Sequence, residues 1–186
     1  MNNVVKMLLT LTLVGIVSGG VLSQVNNWAQ PKIKINRQKE TEKAIFLVQP
    51  EAESYEKVES VDFELYKVFN AEKEPVGYAL PYEGNGFQGN IRLMVGVKPD
   101  LKTLTGLEVL EQVETPGLGT KVTEDPFTSQ FEKLPAEPKV EWVKGEEPSK
   151  PNEIQAITGA TISSKAIVRI VNNGLEKLRK AEGDAS

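Results

Sequence analysis

Nineteen consecutive residues, Met7–Val25, carry no charge and are dominated by Leu, Val and Ile. At about 1.5 Å per residue a helix of that length reaches roughly 28 Å, close to the hydrocarbon thickness of a bilayer. Lys6 is placed to snorkel at one end, and Trp28 suits the interface at the other. The first reading is therefore a transmembrane anchor over residues 1–25. A cleaved signal peptide competes with it, because Ser18-Gly19-Gly20 offers small residues, but the run is long for a signal core. After the span come Lys32, Lys34, Arg37 and Lys39, against only Lys6 and the α-amine before it. Taken alone, that excess places the C-terminal part in the cytoplasm.

Two absences limit the chemistry of the rest. The 186 residues include no His and no Cys. Thiolate-ligated clusters, His- or Cys-ligated haem, ordinary zinc sites and nucleophiles paired with His are thereby excluded, as are disulfides. Redox activity would need an organic cofactor. A net charge of −4 argues against nucleic acid as the main partner.

Beyond the span, residues 26–37 read as a juxtamembrane linker, and 38–186 as one domain. Gln38 to about Val48 has an apolar face of Ala44, Ile45, Leu47 and Val48, ended by Pro50, and reads as a helix. Alternation from Phe63 to Phe69 predicts a strand, and Asn70–Glu74 a polar turn into a hairpin partner over Pro75–Tyr82. Two more strands are expected over Ile91–Val97 and Leu104–Val113, around a turn at Pro99-Asp100, and a short one over Val140–Val143 within the proline-rich stretch 135–152. Ile167, Ile170, Val171, Leu175 and Leu178 recur at spacings of three and four and define a closing helix, with Ser163 and Ser164 as candidate N-caps. The order of elements gives an α+β class: one N-terminal transmembrane helix, then a domain of antiparallel strands packed with helices.

Two segments are candidates for binding. Thr158-Gly159-Ala160-Thr161 lies directly before the closing helix, where small residues, hydroxyls and free N–H groups favour a phosphate. An N-cap loop without a ligand has the same features. Glu114-Thr115-Pro116-Gly117-Leu118-Gly119 would let backbone approach a flat ligand, and an ordinary tight turn would look alike. Glu51, Glu53, Glu56 and Glu59 are too dispersed for a calcium loop, and Phe63, Tyr66, Phe69 and Tyr78 read as packing. No catalytic residue and no metal ligand is assigned.

Taken together with the run Gly84-Asn85-Gly86-Phe87-Gln88-Gly89-Asn90-Ile91, these motifs match a family in their order. The chain resembles the G subunit of the Rnf electron-transport complex and, more distantly, the C subunit of sodium-translocating NADH:quinone reductase. The resemblance covers nearly the whole chain and implies an FMN-binding domain behind a single span. It further implies that Thr161 is esterified to the FMN phosphate by a separate flavin transferase that uses FAD. Thr158, Gly159 and Ala160 complete that motif, and the resemblance puts Thr115 and Leu118 where the family's glycine loop lies against the ring; backbone contact from Gly117 and Leu118 is expected from the loop itself. The implied function is electron transfer within a ferredoxin:NAD oxidoreductase that moves sodium or protons, with other membrane subunits as partners. The implied location is the inner membrane, with the FMN domain on the extracytoplasmic side, against the basic excess after the span. The alternatives are the quinone-reductase subunit, whose chains are generally longer, and a tethered, non-redox binding module. One position departs from the family pattern: Gln155 stands where an aspartate is usual, with Glu153 nearby as a substitute.

Overall fold

The computed structural model describes residues 2–184. They fall into two units, residues 1–40 and 41–186. The first unit is helical throughout its described length after Asn2, as the beginning of helix α1, Asn3–Val48. Its residues 2–28 are all exposed, and α1 carries a stretch long and apolar enough to cross a membrane. Segment 26–37, expected as a linker, is part of this helix. Its only strong helix breaker is Pro31, which removes a single i→i−4 hydrogen bond, so an already nucleated helix propagates through it. The Lys32 ammonium lies 3.7 Å from the centre of the Trp28 ring, one turn away, a cation–π pair.

The second unit is built on a five-stranded antiparallel meander. Its strands are β1 (Ser54–Lys57), β2 (Tyr66–Phe69), β3 (Pro75–Asn85), β4 (Asn90–Val97) and β5 (Leu104–Glu111), adjacent in sequence order. Period-two alternation divides the side chains between two layers. On one face Val68, Ala79 and Met94 meet Ala44, Ile45 and Val48 from the last turns of α1. On the other, Leu80, Ile91, Leu93, Val95 and Val97 meet Ile167, Ile170, Val171 and Leu175 of α3 (Thr161–Asp184). Coverage on both faces explains why β4 is almost continuously buried instead of cleanly alternating.

Several expectations are corrected. The strand expected over 63–69 is only β2, and β1 beside it has no counterpart among the expected strands, because its exposed side chains leave no apolar pattern. The strand near Trp142 exists as β6 (Glu141–Lys144), but it pairs in parallel with β7 (Glu153–Ala156) in a separate two-stranded sheet. Between β5 and β6 the chain forms a 3-10 turn at Gly119–Thr123, the short helix α2 (Asp125–Thr128) and another 3-10 turn at Ser129–Phe131. This excursion supplies two fully buried rings, Phe127 and Phe131, to the main core. Finally, α3 begins at Thr161, so Ser163 and Ser164 belong to its first turn and are not its caps.

Candidate functional site

The two motif segments fold into the same kind of turn. In Thr115–Leu118 the Leu118 N–H donates to the Thr115 carbonyl at 3.2 Å, with Pro116 second and Gly117 third at φ +76°. In Ile157–Ala160 the Ala160 N–H donates to the Ile157 carbonyl at 3.0 Å, with Gly159 third at φ +87°. A left-handed residue at the third position marks a type II turn, which explains both glycines. The turns come together: a Cβ on Gly159 would stand 3.5 Å from Leu118 Cδ2. Sequence motifs some forty residues apart thus form one locus.

The second turn leads straight into α3. Ser164 closes the junction, its hydroxyl accepting from the Ile157 N–H at 3.1 Å and donating to the Ala160 carbonyl at 3.0 Å. Ala160 is buried, whereas Thr158 and Gly159 are exposed and Thr161 is half-buried. The Thr161 hydroxyl has one weak contact, 3.5 Å to the Ile157 carbonyl. Backbone N–H groups of Thr161, Ile162 and Ser163 have no backbone acceptor among the described residues, as expected for the first turn of a helix. They lie at the positive end of a 24-residue helix dipole.

Glu114, Gln88, Phe87, Val113 and Ile162, outside the expected set, join the expected Thr115 and Leu118 at the locus. Glu114 is buried, and its Oε1 accepts from the N–H groups of Phe87 (2.8 Å) and Gln88 (3.1 Å), while Oε2 accepts from the Ser163 hydroxyl. Gln88 Nε2 donates to Thr115 Oγ1 at 2.9 Å. Four large apolar side chains, Phe87, Val113, Leu118 and Ile162, are 49–62% exposed and flank these contacts in the chain. Elsewhere among the described residues of this unit, Phe46 and Leu47 are the only large apolar side chains left exposed. Helical and strand periodicity points to residues that face a core, so it passes over apolar side chains left exposed.

These features fit FMN. A phosphate suits the N–H groups of Thr161–Ser163, because Glu114 takes the Ser163 hydroxyl and leaves the backbone donors for another anion. A Cβ on Gly117 would meet nothing within 4 Å, so a flat ring can lie against this backbone, beside exposed Leu118.

Gln155, on β7, is exposed, and its side-chain amide donates to the Glu146 carbonyl at 3.0 Å. Glu153 is not presented in its place. It points inward, accepting from the Ser149 N–H at 2.9 Å and the Lys150 N–H at 3.0 Å, with Lys150 Nζ 3.1 Å away. The Ser149 N–H, more than any other group, holds this carboxyl down to about 2 from an ordinary 4.5. A folded value below the unfolded one contributes stability above about pH 4.5 that is lost as the pH falls toward 2. Glu153→Gln should flatten the fall in melting temperature across that window. An unchanged acid limb would mean that another carboxylate controls it.

Residues 86–176 match the FMN-binding domain family. Over 98% of both chains, the sequence is 28% identical to the G subunit of the ion-translocating oxidoreductase complex of Methanosarcina acetivorans. It is 37% identical to the G subunit of the proton-translocating ferredoxin:NAD(+) oxidoreductase complex of Clostridium ljungdahlii over 58% of this chain, a match spanning only 56% of that protein. The crystal structure of the C subunit of the Na(+)-translocating NADH-quinone reductase from Parabacteroides distasonis superposes with a TM-score of 0.56 at 26% identity, covering 64% of this chain and 62% of that one. Residues 86–176 thus carry a match to the FMN-binding domain family, in a chain similar along its length to the G subunit of an ion-translocating oxidoreductase complex.

Proposed function

We propose that this chain is a membrane-anchored electron-transfer subunit that carries FMN, esterified through its phosphate to Thr161, in an ion-translocating ferredoxin:NAD oxidoreductase complex. The observation that carries the reading is the meeting of the two type II turns at the start of α3, which sets the Thr161 hydroxyl beside unused N–H groups and an exposed apolar rim. Bound FMN supplies the redox chemistry, and the protein supplies position and electrostatics. Thr161–Ser163 hold the phosphate, Thr158–Ala160 shape the approach, and Thr115, Gly117 and Leu118 support the ring. Maturation uses a flavin transferase acting on FAD: the Thr161 oxygen bonds to the FMN phosphorus, AMP leaves, and the hydroxyl proton is released. A phosphodiester keeps one negative charge at the helix N-terminus, where the dipole favours it. Residues 1–25 anchor the chain, 26–37 connect, and 38–186 form the flavin domain.

Intact-mass analysis of the full chain, coexpressed with a flavin transferase, tests the reading. The expected product gains one FMN less one water. An unmodified mass beside a transferase proven competent on another substrate would overturn covalent attachment.

We place the domain on the extracytoplasmic side, with the other subunits of the complex fixing an orientation that the basic residues after the span do not. Protease added outside the cytoplasmic membrane is then expected to cut at exposed Lys43 and Lys73 while the chain remains in the membrane through alkaline washing. Protection until the membrane is broken would reverse the orientation. A soluble chain beginning near Leu22 would instead mark residues 1–25 as a signal peptide.

A further inference from the structure

Glu114 is a carboxylate 3% exposed, with no cationic side chain within ion-pair distance among the described residues. Burial of such a group is costly unless its oxygens are hydrogen-bonded. Three donors meet that need, and they come from two separate sides of the locus: two backbone N–H groups from the β3–β4 loop and the hydroxyl of Ser163 in the first turn of α3. Space for the carboxylate is kept by glycine on both sides. A Cβ on Gly86 would collide with Glu114 Oε1, and one on Gly119 would come within 2.7 Å of Glu114 Cβ. The residues joined to these contacts along the chain are the exposed apolar ones, Phe87, Val113, Leu118 and Ile162.

We propose that Glu114 is the positioning residue of the flavin site, setting the β3–β4 loop, the Pro116-Gly117 turn and the start of α3 in the one relation that lets a single ligand reach Leu118 and Thr161 together. The inference rests on the flavin reading above. Glu114 touches neither the phosphate nor the ring in this role. It acts through the backbone of Phe87 and Gln88 and through Ser163.

The test uses the full chain in detergent, coexpressed with a flavin transferase, as wild type and as Glu114→Ala, Glu114→Gln and Ser163→Ala. Visible circular dichroism reports ordering of the flavin ring, and it is read beside the melting temperature. Because the ring stays tethered through Thr161, ordering and attachment are separate measurements. In Glu114→Ala three donors lose their acceptor, and the ratio of docked to free ring is expected to fall about tenfold, seen as collapse of the flavin dichroism. Glu114→Gln should restore most of the signal, since its oxygen can accept from Phe87 and Gln88 and its amide can donate to the Ser163 hydroxyl. Ser163→Ala should give a smaller loss, and it carries the test should Glu114→Ala fail to fold. A lowered melting temperature with flavin dichroism unchanged in both Ser163→Ala and any folded Glu114 variant would make the carboxylate a structural tie only and overturn the proposal. A wild-type chain that binds no flavin at all would remove the flavin reading itself, a distinct result.

Discussion

Thr161→Ala is expected to abolish the flavin fluorescence that survives denaturing electrophoresis, while leaving the melting temperature almost unchanged. The two effects separate because the side chain contributes little to the fold. Its hydroxyl makes a single contact, 3.5 Å from the Ile157 carbonyl, and the junction is closed instead by Ser164 and the Ala160 N–H. Loss of so weak a contact costs well under about 1 kcal/mol. Covalent attachment, by contrast, has no substitute oxygen in the same place. Thr158 is three residues earlier at the exposed second position of the turn, and Ser163 is committed to Glu114. Thr158→Ala is accordingly expected to reduce modification without abolishing it. Peptide mapping locates the adduct, and fluorescence persisting in Thr161→Ala would sink the assignment. Should the wild type remain unmodified, Gln155→Asp is the deciding control, because Gln155 is exposed on the strand that leads into the motif and Glu153 is turned inward.

The largest loss of stability is expected from a residue with no place in any motif. Phe131→Ala removes a ring that is 0% exposed and packs edge-on against Phe127, with centroids 5.6 Å apart. Truncation of a buried aromatic to Ala costs about 3–5 kcal/mol through lost burial and the cavity left behind. For a chain of this size that lowers the melting temperature on the order of 10 °C. The effect should also reach the site. The adjacent Gln130 holds β7 by accepting from the Gln155 N–H at 2.6 Å and donating to the Gln155 carbonyl at 3.3 Å, six residues before Thr161. Thermal unfolding followed by circular dichroism checks the magnitude. A shift of only a degree or two would mean that the 119–131 excursion is not part of the core.

Gln49 shows why some of the architecture lies beyond a reading of patterns. Its buried side-chain amide donates to the carbonyls of Tyr78 (2.8 Å) and Val97 (3.0 Å), joining the end of α1 to β3 and β4. Nothing about a glutamine after an apolar helix indicates that role. Arg92 is similar: largely buried, it donates to Thr41 Oγ1 at 2.9 Å and lies 3.4 Å from Glu64 and 3.7 Å from Glu111. These partners are separated by tens of residues, and only the closed sheet makes them neighbours.

What the sequence determined by itself is what local chemistry can encode. A charge-free run specifies an apolar helix, spacings of three and four specify the buried face of α3, and apolar runs bounded by the Asn70–Glu74 and Pro99-Asp100 turns specify β3, β4 and β5. Pro116-Gly117 and Thr158-Gly159 likewise carry their own turn geometry, since a left-handed residue at that position favours glycine. The tertiary structure decided the rest. It set β6 parallel to β7, drew Phe127 and Phe131 inward from a stretch without regular periodicity, and left Phe87, Val113, Leu118 and Ile162 outside around the locus. Above all, it enclosed Glu114, whose three donors come from residues 87, 88 and 163. The physical reason is that a buried carboxylate is stable only where several separate segments bring donors to it at once, and no local stretch of sequence contains that meeting.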